Sequence, residues 1–241
     1  MGRYIMNSVG TLNEKSIHSF IKEYIEPDKS KHEIRVNGYI ADIKDGTHIF
    51  EIQTKDFGRL KSKLDAYNND YVTTIVYPIS IVRYLNWVDP VTHEILERRK
   101  TPSRASIQDI FIELYKIREY LMNNKLEFKV IALESEEYKY LDGYGPSCKN
   151  KATKIDKIPT KVLQEINFSV NGGYEQFIPT TLQYNFTAND FAKHAHCSLK
   201  TARVTLLILT ELNYVARIGR KDRKYVYQVN NDKLNIIQSK F

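Results

Sequence analysis

Three polar residues, Asp42, Glu51 and Gln53, stand at a spacing that could organise a divalent cation. They fall in a run punctuated by Asn37-Gly38 and Asp45-Gly46, dipeptides suited to type I′ turns because both central positions need left-handed φ. A two-residue turn at Asp45-Gly46 pairs Lys44 with Thr47, Asp42 with Ile49 and Ile40 with Glu51. Side-chain alternation then sets Asp42, Glu51 and Gln53 on one face, the two carboxylates diagonal neighbours roughly 7 Å apart at Cβ. From there both can converge on one Mg²⁺ or Mn²⁺ ion. A carboxylate pair framed by apolar Ile40 and Ile49 is costly unless its charge is compensated, which a metal would do. The other reading is two solvated carboxylates on an open sheet face. A metal held there would lower the pKa of a bound water. Gln53 cannot act as a base, so its amide could only position water. Lys55 lies two residues further on the same face.

The second constellation is basic. Of a net charge of +7, residues 187–241 carry 10 Lys/Arg against 4 Asp/Glu, leaving 26 against 25 for the other 186 residues. A positive field confined to the last quarter of the chain fits a polyanionic partner.

The elements that must position these groups follow from periodicity and turn signals. Thr11–Glu26 reads as an amphipathic helix ended by Pro27, and Thr11-x-x-Glu14 as a capping box. Glu33–Val36, Tyr39–Lys44 and Thr47–Thr54 read as an antiparallel meander, followed by a helix through Phe57, Leu60, Leu64 and Tyr67. Val72–Pro78 and Ile79–Trp87 read as two strands broken by Pro78, Ser106–Asn123 as a helix and Phe128–Leu133 as a last strand. Arg98, Arg99, Lys100 and Arg104, just before that helix, are either a phosphate grip or a solvated loop. Residues 134–185 read as a linker or extended connecting segment, with a hairpin turn at Asn171-Gly172-Gly173. Thr187 caps one short helix and Ser198 the next, which runs to about Asn213. Tyr214–Ile218 and Tyr225–Val229 then form strands joined by the basic loop Gly219–Lys224.

The helix, the hairpin carrying Asp42 and Glu51-x-Gln53, and the following helix resemble the PD-(D/E)XK, or restriction-endonuclease-like, nuclease superfamily. The likeness covers roughly residues 11–80 and at its widest reaches 133. It implies that Asp42 and Glu51 bind Mg²⁺ (or Mn²⁺), that Gln53 orients or activates the attacking water, and that Glu14 on the first helix contributes an acidic group. Ala41 stands where the family pattern has Pro, and Gln53 where it usually has Lys, whose ammonium Lys55 could supply instead. The segment FTANDFAKHAHCSLKTARVTLLILTELNYVARIGRKDRKYVYQV resembles a winged helix-turn-helix. That resemblance puts Ser198, Lys200, Thr201 and Arg203 at base edges or nearby phosphates, and Arg220, Lys221, Arg223 and Lys224 on the DNA backbone.

The expected architecture is therefore α/β (α+β): a mixed central sheet with flanking helices over 1–133, the connecting segment 134–185, and a winged helix over 186–241. A Mg²⁺-dependent DNA endonuclease uses both halves. A catalytically inactive nuclease fold serving a DNA-binding regulator is the alternative, and an enzyme acting on RNA a third reading. Double-stranded DNA is the expected partner, with a homodimer left open. No run approaches 18 apolar residues and no signal peptide is legible, so a cytoplasmic or nucleoid-associated protein is expected. Cys148 and Cys197 make no disulfide framework, and His194 and His196, at i and i+2 on a helix, face apart and so do not share a zinc ion.

Overall fold

The computed structural model describes residues 13–67, 70–102, 105–143 and 152–231, with the side chains of residues 13–15 outside the description. Thr11, the Glu14 side chain, Arg104 and Cys148 thus lie outside the described residues.

A helix, α1 (Asn13–Ile25), precedes a meander of β1 (His32–Val36), β2 (Tyr39–Asp45) and β3 (His48–Ile52). Asn37 and Gly38 turn the first hairpin with φ of +48° and +87°, as their types require. The second hairpin closes one residue later than expected: Asp45 pairs with His48, Lys44 with Ile49 and Ile43 with Phe50, so Gly46 and Thr47 form the turn. Helix α2 (Lys61–Tyr67) then carries the chain to β4 (Val72–Val88), parallel to β3.

Strand β4 is the spine of the sheet and runs unbroken through Pro78. Its amide at Val72 and its carbonyl at Val76 bond towards β3, so by alternation Pro78 points its nitrogen to that side. There β3 has already ended at Ile52↔Val76, and β5 (Ile95–Thr101) begins pairing only at Arg83↔Thr101. Pro78 falls in the gap, where a missing N–H loses no ladder bond. Arg98, Arg99 and Lys100 are therefore in strand β5, not in a loop. Arg98 pairs with Glu136 at 3.0 Å and stacks on Tyr84 at 3.9 Å.

The expected helix over 106–123 is a short α3 (Ile110–Leu114) flanked by 3-10 turns, with a break at Ile117. Residues 134–185, expected as a connection, hold the second half of β6 (Leu126–Tyr140) and all of β7 (Thr153–Ser169). The resulting mixed sheet has seven strands in the order β1-β2-β3-β4-β6-β7, with β5 attached to β4.

Alternation along the strands feeds two large cores and a small cluster of Val36, Ala41, Ile49 and Tyr67. Ile43, Ile52, Val76, Ile131 and Leu133 meet Ile21 of α1 on one face. Ile75, Tyr77, Phe128, Val130 and Phe168 meet Phe57, Leu64 and Phe111 on the other. The second core continues without a break through Tyr174 and Phe177 into the C-terminal elements β8 (Phe186–Thr187), α4 (Ala188–His194), α5 (Leu199–Glu211), β9 (Val215–Lys221) and β10 (Lys224–Val229). The last two strands and β8 make a separate three-stranded sheet. Thr187 and Ser198 cap α4 and α5 as expected, Thr187 in a capping box with Asp190. Among the described residues no helix is long and apolar enough to cross a membrane.

Candidate functional site

Strand β2 stays with β1 to the pair Val36↔Tyr39, and β3 stays with β4 to Ile52↔Val76, but β2 and β3 pair with each other only as far as Ile43↔Phe50. The sheet therefore splits between them. Carried one step further, the observed register sets Asp42 level with Glu51 rather than diagonal to it.

The split is filled by side chains. Asp42 Oδ2 accepts a hydrogen bond from the Ile52 amide at 2.8 Å, replacing the ladder bond the strands no longer make. Lys63, on α2, donates to the Ile40 carbonyl at 2.6 Å and to Glu51 Oε2 at 2.7 Å, bridging the two strands. Tyr67, one turn further along α2, donates to Glu51 Oε1 at 3.4 Å. From the opposite face Lys22 of α1 places its ammonium 3.8 Å from Asp42 Oδ1 and 2.9 Å from Glu33.

Glu51 is only 2% exposed. Burial pushes its carboxyl up to about 7; the Lys63 hydrogen bond opposes this and the Asp42 charge adds to it. Asp42 opens onto a cleft of about 740 Å³ lined also by His18, Lys22, His32 and Glu33. Asp42 and Glu51 are hard oxygen donors of the kind a divalent cation takes, but the Ile52 amide and Lys22 face the Asp42 oxygens and Lys63 and Tyr67 hold those of Glu51. Lys63 competes with such an ion for Glu51. Among the described residues no group of three or more His, Cys, Asp or Glu could hold a metal.

Gln53 does not join Asp42 and Glu51 as expected. It lies just past β3, its amide nitrogen donating to the Val76 carbonyl and its side chain to the Lys55 carbonyl at 2.5 Å. Lys55 is exposed and makes no ion pair with either carboxylate. The ammoniums at the pair are Lys63 and Lys22, neither of which the sequence pattern had singled out. A signal existed for Lys63: four residues before Tyr67, it shares a helix face with a residue on the core side.

At the C-terminus, Lys200 and Arg203 lie exposed on α5, and Ser198 caps that helix through its 3.0 Å bond from the Thr201 amide. Thr201, expected at a base edge, is instead 4% exposed, and its hydroxyl donates to Asp109 at 2.9 Å, anchoring α5 to the large sheet's helical layer. The β9–β10 turn is only Asp222-Arg223, both at left-handed φ. Arg220 and Lys221 consequently lie in β9, and Lys224 in β10. Arg220 donates to the Tyr225 hydroxyl at 2.5 Å and holds that phenol below its ordinary range.

A residue not anticipated, Arg217, stacks on Tyr225 at 3.7 Å, opposite Tyr227 in the ladder. With Arg203, Arg223 and Lys224 it lines a groove of about 420 Å³ between α5 and the hairpin, and no acidic residue shares the lining. The cross-strand pairing of Arg217 with an aromatic was its sequence signal.

A protein of Treponema pallidum (strain Nichols), described as uncharacterized, is 28% identical over 195 residues, 79% of this chain and 77% of that protein. No solved structure matches the chain. The family described as "Domain of unknown function (DUF8091)" matches residues 15–169, from the first turn of α1 to the last residue of β7. The chain belongs to that family.

Proposed function

We propose that this chain is a Mg²⁺- or Mn²⁺-dependent endodeoxyribonuclease of restriction-endonuclease-like fold, with a C-terminal winged helix that binds double-stranded DNA. The observation that carries the reading is the split between β2 and β3, where Asp42 accepts from the Ile52 amide and Glu51 from the Lys63 ammonium. The order helix, three-stranded meander, helix, parallel strand supports the fold assignment. Asp42 and Glu51 would hold the ion, which supplies charge neutralisation at the phosphate and acidification of water. Lys63 stands where it can pass from Glu51 to a phosphate oxygen once that carboxylate has another cation. Buried Glu51, with its carboxyl near 7, ionises most readily when a cation is at hand. Gln53, engaged with the Lys55 carbonyl, plays no part in proton transfer. The helix pair α4–α5 and the basic β9–β10 hairpin support the winged-helix assignment. Arg203, Arg217, Arg223 and Lys224 would track the phosphate backbone, with Lys200 beside them on α5.

A second reading is a DNA-binding regulator in which the nuclease fold has lost catalysis. It is favoured by the tie of Gln53 to Lys55 and by Lys63 sitting against Glu51. Calorimetric titration of Mg²⁺ and Mn²⁺ separates the two. Stoichiometric binding that disappears in Asp42→Asn supports the enzyme, whereas no heat from either ion supports the regulator.

A further inference from the structure

We infer that the far half of the seven-stranded sheet carries a phosphate-binding site built from Arg83, Lys154 and Lys157. In the ladder Leu85 pairs with Glu137, and Glu137 with Lys157, so Arg83, two residues before Leu85, projects from the same face as Lys157. Lys154 follows on that edge strand.

These cations are short of counter-charge. Arg83 donates from Nη2 to the Pro102 carbonyl at 3.3 Å, but its Nε is buried with no hydrogen-bond partner. Among the described residues neither Arg83, Lys154 nor Lys157 forms an ion pair. The acids nearby are engaged: Glu137 holds Lys139 at 3.3 Å, and Asp156 accepts from Ser16 at 3.0 Å and from the Lys157 amide at 2.7 Å. Half-buried Lys157 is held below the usual lysine range by burial, then by Arg83 and Lys154, with Glu137 only partly opposing them. Ser16, in the first turn of α1, also donates to the Lys157 carbonyl at 3.4 Å, so the positive end of that helix dipole adds to the same field.

Like charges gathered where solvent is partly excluded, with an orphan guanidinium donor among them, are unfavourable until an anion arrives. A phosphate group matches the arrangement: it brings up to two negative charges and oxygens enough for a guanidinium and two ammoniums. The site lies apart from Asp42 and Glu51 and needs no metal, so it stands or falls independently of the proposed hydrolysis.

The test is amine acetylation of the metal-free full chain, read by peptide mass spectrometry at Lys157, with exposed Lys193 as control. Chloride at matched ionic strength is compared with inorganic phosphate and with a duplex oligonucleotide lacking terminal phosphates. At phosphate tenfold above its Kd, labelling of Lys157 should fall about tenfold while Lys193 is unchanged. Protection by inorganic phosphate alone assigns the site to a free phosphate or phosphomonoester, and protection by the duplex assigns it to a DNA backbone. Arg83→Gln should abolish either. If neither probe protects Lys157 beyond chloride in the unmutated chain, the inference is overturned.

Discussion

Replacing Glu51 by Gln should raise the protein's stability relative to the parent progressively as pH rises from 4 to 8. Glu51 is buried, and its carboxyl lies at about 7 in the folded chain against an ordinary 4.5. Below pH 4.5 both states carry the proton and the residue costs nothing. Between 4.5 and 7 the unfolded chain releases its proton first, so folding stability falls with rising pH. Above 7 the folded chain bears the whole cost of the buried charge, about 3 kcal/mol at ~1.4 kcal/mol per pH unit. Glu51→Gln removes the ionisation. It also weakens the bond from Lys63, a loss of about 1–2 kcal/mol that is nearly independent of pH. The observable is therefore the change in the stability difference with pH, which is free of that offset. Urea unfolding of both proteins without divalent ions at pH 4, 5, 6, 7 and 8 should show the variant gaining about 3 kcal/mol on the parent across the series. A difference that stays flat, or that moves against the variant, would refute the assignment of a desolvated carboxyl at this position.

Other substitutions probe the frame around the site. Gly173 sits at φ +93°, where an added Cβ would lie 2.5 Å from the Asn167 carbonyl oxygen and 2.7 Å from Phe168 Cβ. Gly173→Ala should thus cost ~3 kcal/mol, or roughly 6–12 °C in a thermal melt. Phe177 packs edge-on against Phe111 and Phe168, joining the C-terminal helices to the sheet, so Phe177→Ala should cost about 3–5 kcal/mol. The parent should melt in one transition, and separate melting of the two halves would contradict the shared core. In the hairpin groove, Arg217→Ala and Arg223→Ala should each reduce the slope of log K against log salt for duplex DNA by about 0.9, as when the protein neutralises one phosphate fewer. Thr201→Val, buried away from that groove, should leave the slope unchanged.

Much of the frame is legible because local chemistry dictates it. The Asn37-Gly38 turn, the caps at Thr187 and Ser198 and the helix through Leu64 and Tyr67 are set by residue type and spacing within a few positions. Sequence and structure part where partners distant along the chain decide. Pro78 reads as a breaker when its strand neighbours are unseen, yet it lies where one neighbour has ended and the next has not begun. The polar composition of residues 134–165 hides the length of β6 and β7, whose far halves form the more solvated part of the sheet. At the candidate site, alternation finds Asp42 and Glu51, but the hairpin turn falls one residue later than the turn dipeptide indicates, and β2 and β3 part before reaching them. Lys63 and Lys22 reach the pair from helices on opposite faces, a meeting set by contacts distant along the chain.

The proposed hydrolysis of DNA at Asp42 and Glu51 is tested most directly with supercoiled plasmid and Mg²⁺ or Mn²⁺, comparing the parent with Asp42→Asn and Glu51→Gln at matched protein and salt. The account predicts nicking or linearisation by the parent alone, with both variants still shifting the plasmid in a gel. Binding without cleavage by the parent, with either ion and on every form of DNA, would contradict it.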